Sequence, residues 1–203
     1  MITKLRKYLY WLGGAIFSLL LLFFLVSKPK DNPYMTLYSS SSERGFSGCE
    51  FANEKRPGVR FRFYVPADEC KLIIYHGGAG IRFYIDYPSL KVVRAGAKEG
   101  FPIYFYMERI SSGEFDADRH LAGKKPIAVR DGMEIYELND YKERKFNGED
   151  GVPVYASDYL ATIRASRLYK SEFLVFYQYP KEFADVKAMD DFALDVLRKI
   201  VAE

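Results

Sequence analysis

ATIRASRLYKSEFLVFYQYPKEFADVKAMDDFALDVLRKI, residues 161–200, carries two hydrophobic periods in one stretch. Before Pro180 the period is two: Phe173, Val175, Tyr177 and Tyr179 share one face of an extended chain. Lys170-Ser171-Glu172 falls where such a chain turns, so residues 161–179 are predicted as a β-hairpin. After Pro180 the spacing is helical, through Val186, Met189, Ala193, Val196, Leu197 and Ile200. Asp185, Asp190 and Asp191 lie early in that segment and Arg198 and Lys199 lie late, which matches the helix dipole. A helix with one apolar stripe must bury it, most simply against a sheet. The chain therefore reads as α+β, a mainly antiparallel sheet with a C-terminal amphipathic helix packed on it.

Upstream the strand signals continue. Val59, Phe61, Phe63 and Val65 alternate with Arg60, Arg62 and Tyr64 before Pro66. Lys71–Tyr75 reads as a strand ended by Gly77-Gly78. Phe83, Ile85 and Tyr87 alternate with Arg82, Tyr84 and Asp86, and Phe101, Ile103, Phe105 and Met107 with Tyr104, Tyr106 and Glu108. Residues 126–138 form a predicted hairpin around Asp131-Gly132, a favoured type I′ pair. Ser89–Gly100 is ambiguous between strand and helix, and 111–124 and 140–152 read as polar loops.

The amino-terminal end is of another kind. Tyr8–Val26 is nineteen residues without a charge, preceded by Lys4, Arg6 and Lys7. As a helix it would span roughly 28 Å, close to the thickness of a bilayer's hydrocarbon. The run is longer than a signal-peptide core and leads into Ser27-Lys28-Pro29-Lys30, a poor cleavage site, so an uncleaved anchor is the preferred reading over a signal peptide. Tyr8, Tyr10 and Trp11 suit the interface, and the cations before the helix favour a cytoplasmic N-terminus. Residues 1–27 are thus read as cytoplasmic stub and transmembrane anchor, 28–48 as a Ser-, Pro- and Gly-containing linker, and 49–203 as an extracytoplasmic domain.

Charge excludes one class of partner. Residues 1–30 hold five cations and no acid, which leaves 25 Lys and Arg against 27 Asp and Glu, a net of −2 beyond the anchor. That is no footprint for nucleic acid. Cys49 and Cys70, in an oxidising compartment, are expected to form one disulfide, with two buried free thiols as the alternative. No Asn-x-Ser/Thr sequon occurs, which mildly favours a bacterial envelope.

Catalytic motifs are weak. Tyr75-His76-Gly77-Gly78-Ala79-Gly80 is similar to the HGGG-type oxyanion loop of esterases, but no G-x-S-x-G elbow accompanies it, and a glycine turn between strands is favoured. Asp116-Ala117-Asp118-Arg119-His120 lacks the Gly and Glu of a calcium loop and reads as a solvated loop. Two histidines, His76 and His120, give a metal site or triad little material. No catalytic, metal or cofactor residue is assigned and no cofactor is expected. The remaining candidates are outward Tyr and Arg, residue types enriched at protein interfaces: Arg60, Arg62, Tyr64, Tyr104, Tyr106, Arg164 and Arg167.

The anchor, the strand leading into Tyr87-Pro88-Ser89, the run from Phe146-Asn147-Gly148 to Val152-Pro153-Val154, and Tyr177-Gln178-Tyr179-Pro180 before the terminal helix form a set. Together they resemble small bacterial inner-membrane proteins with one N-terminal helix and a periplasmic domain, encoded beside type VI secretion effectors such as phospholipases. The resemblance implies an immunity protein that binds and blocks a secreted toxin outside the cytoplasm. It carries over no functional residue. An envelope hydrolase built around His76, or a structural subunit of an envelope complex, is the alternative expectation.

Overall fold

The structure, a computed structural model, describes residues 32–39, 47–111, 116–139 and 141–202. The predicted anchor at 8–26 and most of the predicted linker lie outside these residues. Among the described residues no helix is long and apolar enough to cross a membrane.

Among the described residues the first elements are β1 (Met35–Ser39), β2 (Ser47–Ala52) and β3 (Arg60–Phe63), which pair in that order as a small antiparallel sheet. A single helical turn, α1 (Ala67–Cys70), leads to β4 (Ile74–Tyr75), β5 (Gly80–Tyr87), β6 (Val92–Val93) and β7 (Phe101–Arg109). Then come β8 (Ala128–Arg130), β9 (Met133–Leu138), β10 (Tyr141–Asn147), β11 (Pro153–Tyr159), β12 (Thr162–Tyr169) and β13 (Phe173–Pro180). The last element is the helix α2 (Val186–Ile200). β4 through β13 make one ten-stranded antiparallel sheet in the order β4-β5-β7-β13-β12-β11-β10-β9-β8, with β6 pairing β5 beside β4.

Both predicted hairpins are present. Asp131 and Gly132 have positive φ between β8 and β9, and Lys170 and Ser171 have positive φ between β12 and β13. The helix is as read: Asp185 caps it by accepting from the backbone N–H of Lys187 and Ala188, both at 3.1 Å, and Arg198 and Lys199 close it. Its stripe of Val186, Met189, Ala193, Leu194, Val196, Leu197 and Ile200 is buried in the main core. Burial at about 1.5–3 kcal/mol per large apolar side chain fixes the helix there. The chain then runs on along β3, where Tyr64 N–H donates to the Ile200 carbonyl at 2.7 Å and Ala202 N–H to the Arg62 carbonyl at 2.9 Å.

Alternation along each strand gives the long sheet two unlike faces. The inner face presents Ile81, Phe83 and Ile85 from β5, Ile103, Phe105 and Met107 from β7, and Val175, Tyr177 and Tyr179 from β13, all buried. Phe63 of the small sheet meets Phe83 edge-on at 5.3 Å, and Phe61 meets Phe173 at 6.0 Å, so the small sheet joins the same core. The Cys49–Cys70 disulfide pins β2 to α1 within that core.

Three readings change. β1 lies inside the predicted linker, because pairing to β2 and the packing of Met35 on the core hold a short edge strand in Ser-rich surroundings. The predicted strand Lys71–Tyr75 is cut to two residues: Lys71 ends α1, and Ile73 N–H bonds the Cys70 carbonyl in a turn. The predicted polar loop 140–152 contains β10. This strand shows no apolar alternation because both faces carry charge: Lys145 turns to Asp118, and Arg144 meets Asp158 across the neighbouring strand.

Candidate interaction surface

Strand register, not sequence proximity, assembles the outer face. Arg82 of β5 lies opposite Tyr106 of β7, Tyr106 opposite Phe176 of β13, and Phe176 opposite Ser166 of β12. The adjacent row runs Tyr84, Tyr104, Gln178, Arg164. The Tyr84 and Tyr104 rings stand 5.4 Å apart, and those of Tyr106 and Phe176 6.1 Å apart. Phe176 is 40% exposed, and the tyrosines are half-buried. None of these four aromatics belongs to a packed cluster of the described residues. Gly80 is required beneath Tyr106: a Cβ there would collide with the phenol.

The two arginines at the ends of this floor are held by groups other than carboxylates. Arg82 Nη2 lies 3.1 Å from His76 Nε2. The Arg164 guanidinium stacks 3.4 Å from the Tyr159 ring centroid, and its Nε donates to Gln178 Oε1 at 3.1 Å. By contrast Arg60, Arg62, Arg109, Arg144 and Arg167, also in strands, each meet a carboxylate. Burial, with Tyr84 beside it, raises the pKa of the Tyr104 hydroxyl, while Arg82 and Arg164 both pull it down, so both guanidiniums act on the same phenol. Burial and the neighbouring Glu108 raise Tyr106.

Farther along the same face the sheet is covered. Residues 116–121 fold back over it, and Leu121 and Ala117 pack with Tyr136, Leu138 and Tyr155. Asp118 accepts from Tyr155 Oη at 2.6 Å and ion-pairs with Lys145 Nζ at 2.7 Å. These hydrogen bonds, first from Lys145 and then from Tyr155, lower the pKa of Asp118. His120 meets Glu143 and packs edge-on against the Tyr155 ring. The segment predicted as a solvated loop is therefore a partial lid, and its acid anchors it.

The predicted interface residues divide three ways. Tyr104, Tyr106 and Arg164 come together on the open outer face. Arg60, Arg62 and Tyr64 sit at and just beyond β3 on the small sheet, where Glu50 takes both arginines, at 3.8 and 2.5 Å. Arg167 is a correction: it is not at a surface but fully buried on the inner face. Its Nη1 donates to Asp190 Oδ2 at 2.6 Å, and its other terminal nitrogen pairs with Asp150. Tyr177 Oη donates to Asp190 Oδ1 at 2.7 Å. Burial works against the Arg167 charge, but Asp190 and Asp150 outweigh it and hold its pKa above the ordinary value. Arg164 and Arg167 are three residues apart in a strand, an odd spacing that puts them on opposite faces. That signal was legible in the sequence.

The Phe146–Val154 run acquires a structural meaning at the same place. Gly148 is the closest approach of this turn to the buried ion pair: a Cβ there would fall 2.6 Å from Asp190 Oδ2 and 3.0 Å from Arg167 Nη1. Gly151, with φ of +77°, completes the turn that aims Asp150 inward. The His76–Gly80 run is the turn from β4 to β5. Gly77 adopts a φ of +78° there, and its carbonyl accepts from Asn53 Nδ2 at 2.7 Å. Among the described residues no three His, Cys, Asp or Glu side chains converge as metal ligands.

Sequence reasoning missed Arg82, Tyr84 and Phe176 as members of the face. Each lies on the polar side of its strand's alternation, but membership in one surface depends on register across four strands. No family model, curated protein or solved structure matches this chain.

Proposed function

We propose that this is a membrane-tethered, periplasmic protein-binding domain that neutralises a secreted toxic enzyme by covering it, as an immunity protein does. The observation that carries this reading is the open outer face of β5, β7, β13 and β12. Its tyrosine and phenylalanine floor, flanked by arginines that meet no carboxylate among the described residues, has the composition of a protein-recognition centre. The apolar run Tyr8–Val26 would hold such a binder at the membrane, raising its effective concentration where a lipid-degrading toxin acts. Inhibition then needs an interface over the active site and no chemistry from this chain.

The test is protection. Cells making the full chain, and control cells without it, receive a type VI phospholipase effector directed to the periplasm. Protected growth is expected. Lysis at the control rate, with the chain well expressed and exported, rejects the immunity role for that toxin class. Within the alternative of a hydrolase, His76→Ala should abolish activity on envelope substrates, whereas a binder, in which His76 only orients Arg82, keeps measurable affinity for its partner.

A further inference from the structure

The two halves of the outer face differ in one respect. Over β9 to β11 the chain supplies its own cover, and over β5, β7, β13 and β12 no described segment does so. The covered half shows what kind of element seals this sheet. It is a short acidic segment whose Asp118 takes a tyrosine hydroxyl and a cation of the sheet together, while Leu121 fills the space between aromatics.

We infer that the open half is the docking surface for an acidic segment of a partner protein. Carboxylates of that segment reach Arg82 and Arg164, and apolar side chains between them lie on Tyr104, Tyr106 and Phe176. This names the face on which the proposed binder works and rests on that reading. Arg82 and Arg164 stand on strands three pairings apart, at least about 14 Å across the sheet. A single carboxylate cannot bridge them, so the occupant is a segment with two acidic positions. Both guanidiniums are already oriented, one by His76 and one by the Tyr159 ring and Gln178, so little side-chain freedom is lost on docking. Glu108, two residues from Tyr106 on the same strand face, borders the surface and limits it to acids placed toward the arginines.

Charge argues against the other occupants. Residues 1–30 of this chain carry five cations and no acid, the wrong sign for this face. A second copy docked face to face would bring like arginines together. A bilayer surface offers anionic headgroups, but the tyrosines of this face are half-buried rather than projecting, and Glu108 would face the same lipid.

The experiment uses the full chain in phosphatidylcholine nanodiscs to select from a random peptide library. Enrichment of peptides with two or more Asp or Glu around an apolar residue is expected. The double change Arg82→Glu/Arg164→Glu should cut that binding ~10-fold or more, while Arg60→Glu/Arg62→Glu leaves it within about 2-fold. Arg82→Gln/Arg164→Gln, which keeps the fold and removes only charge, should give an intermediate loss. Enrichment of neutral or basic peptides, no enrichment at all, or equal binding by the double Glu variant overturns the inference. So does preferential binding of phosphatidylglycerol vesicles, or a dimer in sedimentation, that the same double variant abolishes. In the protection assay the two readings separate. A double Glu variant that still protects, beside a protecting parent chain, overturns the face and leaves the toxin reading. A parent chain that selects acidic peptides but fails to protect leaves the face and overturns the toxin reading.

Discussion

Arg164 and Arg167 lie three residues apart in β12, and the sheet gives them opposite work. Arg164 stands on the outer face against the Tyr159 ring, exposed and with no carboxylate partner among the described residues. Arg167 points inward, fully buried, between Asp190 of the terminal helix and Asp150 of the preceding turn. The difference teaches how this fold separates stability from recognition. On the inner face a charge must be paired, because burial without a partner is costly. On the outer face a charge left unpaired costs little and remains available to a partner.

The largest effect should come from breaking the inner site. Arg167→Leu leaves Asp190 buried with Tyr177 as its remaining donor, and a loss of about 3–5 kcal/mol is expected in urea unfolding. Converting Asp190 to Leu as well should recover part of it, since a well-packed apolar pair often replaces a buried ion pair at little cost. A single Arg167→Leu variant as stable as the parent would erase the contrast between the faces. Gly148→Ala should come next. Its Cβ would press on Asp190 and Arg167, and about 1–3 kcal/mol is expected from overpacking against a site that cannot easily shift.

The covered half of the outer face allows a sharper comparison. Asp118→Ala removes the acceptor of the buried Tyr155 hydroxyl and should cost about 1 kcal/mol, visible as faster amide exchange over 116–121 with the rest of the sheet unchanged. Acid should do the same reversibly. The Asp118 pKa is lowered in the fold by Lys145 and Tyr155, so its contribution is fully present above the unfolded carboxylate value of about 4. It is lost as pH falls through the lower folded value. Exchange over 116–121 that speeds on raising the pH above neutrality, beyond the intrinsic chemical rate, would contradict this. The smallest effect on stability belongs to Arg164→Ala, within about 0.5 kcal/mol by urea midpoint. A loss comparable to that of Arg167→Leu would mean that the outer face is structural too.

Much of the fold could be read locally. The two-residue period of Phe173 to Tyr179, the helical period after Pro180, and the Asp131-Gly132 turn each depend on neighbours in sequence. β10 was not legible, because a strand charged on both faces has no apolar alternation to detect. β1 was not legible either, since its pairing with β2 and its packing come from residues distant in the chain. Of the surface, Tyr104, Tyr106 and Arg164 could be chosen by type and alternation. Arg82 and Phe176 joined them through a register that sequence alone does not specify.

The amino-acid sequence by itself determined the strands that alternate apolar and polar residues, the Asp131-Gly132 turn and the capped terminal helix, because alternation, turn chemistry and capping are short-range properties. The tertiary structure alone decided that Cys49 bonds Cys70, which acids meet the buried Arg167, and which half of the outer face no described segment covers. Those outcomes depend on how ten strands register and where a helix lands, and they join residues whose separation along the chain carries no signal of their contact.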